Sequence, residues 1–421
     1  MSTETFTITD LSALEILDSR GNPTLQVDVT LASGASGRAG VPSGASTGSR
    51  EAVELRDGDP ARFGGKGVTQ AVANVNGELR TLLRSRPWTS LAQVDAAMIE
   101  ADGTGNKARL GANATVGVSM ALARALATGG QLFEYLAPTG VSPRLPVPHF
   151  NVLNGGAHAP NSLDFQEFMI APIGAPSLPE AVRAGAAVYA KLRGLLQQAG
   201  YATGLGDEGG FAPDITRPED VLTLLVQAIT GAGYTPGREG IAIALDPAAS
   251  EFYSDGAYHV AGETLSNTDM IERYAGMVHD FPVWSIEDGL AEGDWDGWIA
   301  FTARLGDTTQ IMGDDIFVTN PAIITEAIER KVGNSALIKL NQIGTVTETL
   351  EAIRLCRQAH YTQQVSHRSG ETADSFIADL TVAAGCGQLK SGAPARGERV
   401  AKYNRLLEIA AGTTLPYGLA E

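Results

Sequence analysis

Ile241-Ala-Ile-Ala-Leu-Asp246 and Val283-Trp-Ser-Ile-Glu287 each carry a short apolar run into a carboxylate. The pattern returns at Gln310-Ile-Met-Gly-Asp314, at Ala336-Leu-Ile-Lys339, at Val365-Ser-His367 with Arg368 and Ser369 behind it, and at Gln388-Leu-Lys390. After a first gap of 41 residues, the polar positions follow one another at 27, 25, 28 and 23 residues. Each of these shorter spacings is about the length of a buried strand plus a returning helix. Strands alternating with helices predict a parallel sheet. A sheet with a functional residue at every strand end predicts a (β/α)8-type barrel of the α/β class, because its βα loops converge on one mouth.

Asp246, Glu287 and Asp314 should therefore meet in space. Three acidic groups at one mouth repel one another unless a cation sits between them, and oxygen ligands with open positions suit Mg2+. The plainer reading is three carboxylates that cap helix N-termini, which is common for any one of them.

A chain of 421 residues is too long for one small core, so two domains are expected. Hydrophobic residues at 43% and charged residues at 19% are ordinary for a globular protein. Glycine is abundant, 49 in all, so several loops should need close backbone approach. The net charge of −17 argues against nucleic acid or an anionic membrane as a partner. An anionic substrate would need a local cationic pocket. The only cysteines, Cys356 and Cys386, have no metal-type spacing, which fits a reducing cytoplasm and leaves one disulfide open. No stretch approaches the length of a membrane-spanning helix and no leader pattern opens the chain, so a soluble cytoplasmic protein is expected.

Earlier in the chain, residues 13–17 and 24–31 read as strands around the turn-forming Asp18-Ser-Arg-Gly-Asn-Pro23. Residues 33–50 are rich in Gly and Ser. They read either as a mobile surface loop or as a lid offering N–H groups and hydroxyls to a phosphate or metal. Residues 68–83 and 114–127 have helical apolar spacing, the second with Asn113 as its expected cap. Prolines 138, 143, 146 and 148 mark a connection into the barrel. We place an N-terminal α+β capping domain at 1–137 and the barrel at 138–421. Residues 148–156 and 165–172 read as its first strands, with His158 between them. Asp207 and Glu208 lie among four glycines, an arrangement that suits either a solvated acidic turn or a carboxylate held against a ligand. Residues 178–200 and 398–410 read as helices.

Taken together, these motifs resemble the enolase family over essentially the whole chain. The matching stretches are Asp18-Ser-Arg-Gly-Asn-Pro23, Pro42-Ser-Gly-Ala-Ser-Thr-Gly48, Gln166-Glu-Phe-Met-Ile170, Gly206-Asp-Glu-Gly-Gly210 and Ala248-Ala-Ser-Glu-Phe-Tyr253. They continue in Ser285-Ile-Glu-Asp288, Gly313-Asp-Asp315, Asn341-Gln-Ile-Gly344, Ser366-His-Arg-Ser-Gly-Glu371 and Lys390-Ser-Gly-Ala-Pro394.

The resemblance implies Mg-dependent dehydration of 2-phospho-D-glycerate to phosphoenolpyruvate, a small phosphorylated carboxylate chemistry, with two Mg2+ per site. Asp246, Glu287 and Asp314 would hold the first ion, and Ser46 of the lid part of the second. Lys339 would be the base, Glu208 the acid with Glu167 beside it, and Gln166 and Lys390 the contacts to the carboxylate or hydroxyl end. Arg368 and Ser369 would take the phosphate, with His158 and His367 lining the site. The resemblance also implies a barrel whose first strands depart from simple βα order, and a homodimer or larger assembly of dimers.

Departures stand near the site: His149-Phe150 where two methionines are usual, Phe165 where an aliphatic residue is, and Ala157 and Pro160 flanking His158. They leave open a paralogue that dehydrates a phosphonate analogue, like carboxyphosphonoenolpyruvate synthase. A non-catalytic role is also open, with the surface recruiting partners such as plasminogen or an RNA-processing complex. The C-terminal Ala420-Glu421 lacks the lysine usually invoked for plasminogen.

Overall fold

A computed structural model describes residues 5–45 and 47–419. The chain opens with a three-stranded antiparallel sheet, β1 (Ile8–Leu17), β2 (Pro23–Leu31) and β3 (Ser36–Gly40), in that spatial order. The β1–β2 turn is held by the Asp18 carboxylate, which accepts the backbone N–H groups of Arg20 (2.8 Å) and Asn22 (2.9 Å). Part of the stretch read as a lid is therefore β3, and it meets the barrel from Gly40 onward, where the Gly40 N–H donates to Asp374 at 2.9 Å.

Helix Ala112–Leu126 packs on this sheet, and Gly117 lets it approach: a Cβ there would lie 2.6 Å from Val27. The helix starts at Ala112, one residue before Asn113, with Gly111 at its N-cap at φ +97°. Asn113 is not its cap. Its side chain instead pairs with the backbone of Leu55, accepting N–H at 3.2 Å and donating to the carbonyl at 3.1 Å. The helical stretch near 68–83 is interrupted by a π-helical turn, Val75–Leu79, between Thr69–Asn74 and Arg80–Arg84. Asn76 in that turn clasps the Ala13 backbone of β1 through both amide atoms, at 2.8 and 2.9 Å.

The connection after helix Leu132–Leu136 enters a closed eight-stranded barrel. Its strands are β4 (Val147–Asn154), β5 (Glu167–Ala171), β6 (Ala242–Asp246), β7 (Val283–Glu287), β8 (Gln310–Gly313), β9 (Ser335–Ile338), β10 (Thr362–Ser366) and β11 (Gln388–Lys390). All neighbours are parallel except β5, which runs against both β4 and β6. Two helices, Leu178–Gln198 and Pro218–Gly231, separate β5 from β6, a small three-stranded sheet within residues 253–265 precedes the helix that follows β6, and from β7 onward strands alternate with helical segments. The cadence in the sequence is regular only in this later part for that reason.

The inside of the barrel is not uniformly aliphatic. Met169, Ala242, Ala244 and Trp284 form a small apolar group apart from the main core. Beside it, Gln310 donates to Ser285 at 2.8 Å and accepts from Gln388 at 3.0 Å and Thr362 at 2.8 Å. The cap is joined to the barrel by buried polar contacts: Thr115 to the Gly344 carbonyl at 2.8 Å and Lys107 to Glu348 at 2.9 Å. Among the described residues no helix is long and apolar enough to cross a membrane, and Cys356 and Cys386 are both buried and free.

Candidate active site

Parallel strand direction delivers the polar residue at each strand end to one mouth. Asp246 and Glu287 end β6 and β7, Asp314 follows β8, Lys339 follows β9, His367 follows β10 and Lys390 ends β11. Strand β5 runs the other way, so its first residue, Glu167, reaches the same mouth, paired in register with Asp246. Asp246, Glu287, Asp314, Glu167 and Lys390 are each at most 6% exposed.

Charge is balanced by contact. The Lys390 ammonium lies 3.0 Å from Glu167, 3.0 Å from Asp246 and 2.9 Å from Glu287. Lys339 is ion-paired with Asp314, whose other oxygen accepts from Gln342 at 2.8 Å. Burial, with the Asp246 charge added, lifts Glu287 well above the ordinary carboxylate range. Burial works the same way on Asp314, but Lys339 against it brings it below the ordinary value. Burial depresses Lys339, and the charge of Asp314 more than offsets that, so the amine is held protonated.

Opposite these groups stands a second cluster. Glu208 comes from the glycine-bearing 204–213 loop, where Gly209 adopts φ +86° with its Cβ position 3.2 Å from Ala393 and the Ala395 carbonyl. That conformation suits glycine and buries Glu208 to 2% exposure, so it is not a solvated turn residue. His158 Nδ1 lies 3.6 Å from Glu167 and 3.7 Å from Glu208, and His367 Nε2 lies 3.3 Å from Glu208. Asn151 donates to Glu208 at 2.9 Å.

Burial, reinforced by the Glu208 charge, raises Glu167 well above the usual range. Glu208 goes the other way, against its burial, under the influence of His367, His158 and Arg399. Burial lowers both imidazoles, His367 to about 3, so they are neutral near pH 7. The compensation of Glu208 then rests on its hydrogen bonds and on Arg399. Glu167 is the group of this pair that keeps a proton.

The third side is cationic. Arg368 is buried and bonds Glu51 through both terminal nitrogens, at 2.9 and 3.1 Å, and Asn341 at 3.0 Å. The Ser369 hydroxyl accepts from Arg20 at 3.3 Å. Residues 41–45 and 47–50 border this region: Ser43 exchanges backbone hydrogen bonds with Gly370 at 2.7 and 2.8 Å, and Arg50 donates to the Ile316 carbonyl at 2.6 Å. Gly44 has no side chain because a Cβ there would lie 2.1 Å from Arg368 Nη2. Ser46 lies outside the described residues. From below, the C-terminal helix Gly397–Gly412 contributes the fully buried Arg399, which bonds His367 Nδ1 at 2.6 Å and the Ser369 carbonyl at 2.6 Å.

The sequence reading missed Glu51, Asn151, Gln342, Arg20 and Arg399. Arg20 and Gln342 stood within motifs already matched to the family and Asn151 on a strand already recognised, but none had been given a role. The cleft itself is small, about 20 Å³, because its own ion pairs fill it. A larger and mostly apolar cavity of about 660 Å³ lies between the 138–141 connection and helix Val346–Gln358, away from these groups.

Among the described residues, two sets of three possible metal ligands have atoms within 4.8 Å of one another: Asp288, Asp314 and Asp315, and His158, Glu167 and Glu208. Asp246, Glu287 and Asp314 do not form such a set. Lys390 draws the first two together, while Lys339 and Gln342 hold the third. Asp288 is a brace: its two oxygens accept the backbone N–H groups of Asp314 and Asp315, each at 2.8 Å. The donors present nonetheless fit a hard divalent ion. Asp246 and Glu287 end paired strands and Asp314 directly follows the next one, in a buried place where the ammonium groups of Lys390 and Lys339 supply the nearest counter-charge.

Comparison with known proteins agrees with this arrangement. Residues 8–136 match the family model described as "Enolase, N-terminal domain", and residues 142–415 match "Enolase, C-terminal TIM barrel domain". A curated relative, "Enolase" of Rubrobacter xylanophilus, is 57% identical over 399 residues, covering 94% of this chain and 92% of the relative. A cap, a barrel with its second strand reversed, and this extent of identity leave one conclusion: the chain belongs to the enolase family.

Proposed function

We infer that the protein is a hydro-lyase that converts 2-phospho-D-glycerate to phosphoenolpyruvate and water, and runs the reverse reaction. One observation supports this most: a base and an acid stand on different elements, Lys339 beyond β9 and Glu208 in the 204–213 loop, across a mouth lined with buried carboxylates. Elimination needs that arrangement. The C2 proton passes to Lys339 Nζ, the electron pair left behind forms the C2–C3 double bond, and the C3 hydroxyl departs as water after taking a proton from the Glu208–Glu167 pair. Lys339 must be neutral to accept a proton, and Asp314 is the group that holds it charged here. Once Asp314 has a ligand of its own, the amine is released.

In this reading Asp246, Glu287 and Asp314 hold one Mg2+, and Ser46 part of a second. Bound there, the ions neutralise charge that develops on the substrate carboxylate, which is the established chemistry of enolase-superfamily sites. Arg368 and Ser369 bind the phosphate, which displaces Glu51 from the guanidinium. Gln166, whose Oε1 has no hydrogen-bond partner among the described residues, and Lys390 address the carboxylate or hydroxyl end. His158 and His367 position Glu208.

We place the division between cap and barrel at residues 137 and 138, in the connection that follows helix Leu132–Leu136. A cytoplasmic homodimer is part of the same proposal. It is supported by β1, an edge strand that leaves Leu14 and Leu17 exposed at 47% and 59%.

Formation of phosphoenolpyruvate from 2-phosphoglycerate, followed by its ultraviolet absorbance with Mg2+ and again with chelator, tests the reading. Turnover abolished by chelator is expected. Absence of turnover with Mg2+ present overturns it.

A further inference from the structure

Within the barrel wall is a histidine that none of the roles above uses. His149 on β4 is 0% exposed and paired in register with Lys390 on β11. Paired residues of parallel strands project to the same side of the sheet, so the imidazole lies beside the root of Lys390. Its ring packs against Trp284, with centroids 5.8 Å apart. Neither ring nitrogen has a hydrogen-bond partner among the described residues. Burial, with the Lys390 charge added, pushes this imidazole down to about 3, so it is neutral and one nitrogen is a bare acceptor. A buried polar group left so is unfavourable unless it gains a partner in another state of the protein.

The contacts of Lys390 identify that state. Its hydrogen bonds go to Asp246 at 3.0 Å and to both oxygens of Glu287 at 2.9 Å, and Glu167 Oε2 lies 3.0 Å away. Two of these, Asp246 and Glu287, are the carboxylates assigned above to a divalent ion. A carboxylate turned toward a metal no longer serves the ammonium, and the two positive charges repel. At 2% exposure, Lys390 cannot turn to solvent instead. It requires a buried acceptor close to its own strand. Asn151 Oδ1, Asn154 Oδ1, Gln166 Oε1 and Glu167 Oε2 also lack hydrogen-bond partners among the described residues. The Asn151 amide, however, is anchored to Glu208, Asn154 Oδ1 faces Gly206 and Gly210, and Gln166 lines the cleft where substrate is expected. Glu167 is the carboxyl that keeps a proton and so is a weak acceptor.

We propose that His149 is a positioning residue: when Asp246 and Glu287 engage Mg2+, its unprotonated nitrogen accepts a hydrogen bond from the displaced Lys390 ammonium. The proposal rests on the reading that Asp246 and Glu287 are metal ligands. Its consequence is a coupling between a side chain outside the cleft and the affinity for the ion.

The test is calorimetric titration of Mg2+ into the full-length protein without substrate, for the wild type and for His149→Leu, His149→Met, His149→Gln and Asp246→Asn. Glutamine keeps an acceptor, whereas leucine and methionine do not. His149→Leu should bind Mg2+ roughly 5- to 10-fold more weakly, the usual size of such a coupling, while its metal-free melting temperature stays level or rises. His149→Gln should stay within about 2-fold of wild type on the same scale. Should His149→Leu fail to fold, His149→Met serves as the variant without an acceptor. Wild-type affinity in the leucine and methionine variants overturns the proposal, as does equal weakening in glutamine and leucine, which would mean shape rather than hydrogen bonding. Wild-type affinity in Asp246→Asn instead overturns the metal-ligand reading beneath it.

Discussion

The Lys390 ammonium stands 2.9 Å from both carboxylate oxygens of Glu287, so the cation of β11 closes the circuit onto β7 across the barrel axis. The same nitrogen reaches Asp246 and Glu167. One amine therefore bridges three buried carboxyl groups, and two of them, Glu167 and Glu287, are pushed toward the neutral acid.

Replacing that amine should expose the imbalance. Lys390→Met leaves Glu167, Asp246 and Glu287 buried without a counter-charge, and removal of one partner from such a cluster costs about 3–5 kcal/mol. Differential scanning calorimetry of the metal-free variant should show a correspondingly lower melting temperature. Added Mg2+ should raise that temperature more in the variant than in the wild type, because the ion then supplies the missing positive charge.

Acid and base should be separable from the fold. Lys339→Ala and Glu208→Gln should each lower kcat by about 10²–10⁴-fold. Circular dichroism should keep the wild-type signature, while Lys339→Ala should also lower the melting temperature, because it leaves the buried Asp314 without its ion-pair partner. Steady-state kinetics on 2-phosphoglycerate checks this, and a kcat within a few-fold of wild type for either variant would remove that residue from its role.

Acidity should also act at a distance from the mouth. Asp95 is fully buried where helices Leu91–Asp102, Ala112–Leu126 and Val346–Gln358 meet, and it accepts from Ser119 at 3.0 Å and from the Thr347 backbone at 3.1 Å. Burial raises it from 3.8 to about 6 despite these bonds. A raised carboxyl pKa means that the fold prefers the neutral acid. The stabilisation is complete below about pH 4 and lost as pH climbs toward 6. Asp95→Asn removes the group that ionises. Relative to wild type, the variant should gain on the order of 3 kcal/mol between pH 4 and 6, from about two pKa units at 1.36 kcal/mol each. Urea unfolding at a series of pH values measures the difference, and parallel pH profiles for the two proteins would refute it.

The strand ends were readable in the sequence because an apolar run closed by a polar residue is a local signal, and local signals survive without knowledge of the fold. Asp246, Glu287, Asp314, Lys339 and Lys390 all announced themselves that way. Glu51 did not, because it meets Arg368 across 317 residues and has no periodic context. Arg399 lay in a stretch read only as a helix, with no local sign of a role, and only packing of that helix against the barrel buries it. The π-helical turn at Val75–Leu79 was hidden too. Its apolar spacing continues that of the flanking helices, and what sets it apart is a tertiary grip, Asn76 on β1. Residues 36–40 read as part of a flexible tract because their composition is small and polar, yet pairing with β2 orders them.

Glu51 occupies Arg368 much as an anion would. Glu51→Gln weakens that hold, so inorganic phosphate should inhibit the variant at a concentration roughly tenfold or more below that for the wild type, in keeping with loss of a charge-assisted hydrogen bond worth about 1.5–3 kcal/mol. Inhibition kinetics decides the point, and an unchanged inhibition constant would mean that Glu51 does not compete for the guanidinium.

Reversal of β5 has a consequence for anyone recombining such barrels. Because β4 and β5 turn back on each other at the mouth, their pair is not interchangeable with the forward-running modules that follow β6. A chimera that replaced β5 with a strand of ordinary polarity would carry the position of Glu167 to the opposite rim. Lys390 would be left with two acidic neighbours instead of three, and no change of side chain could make good the loss.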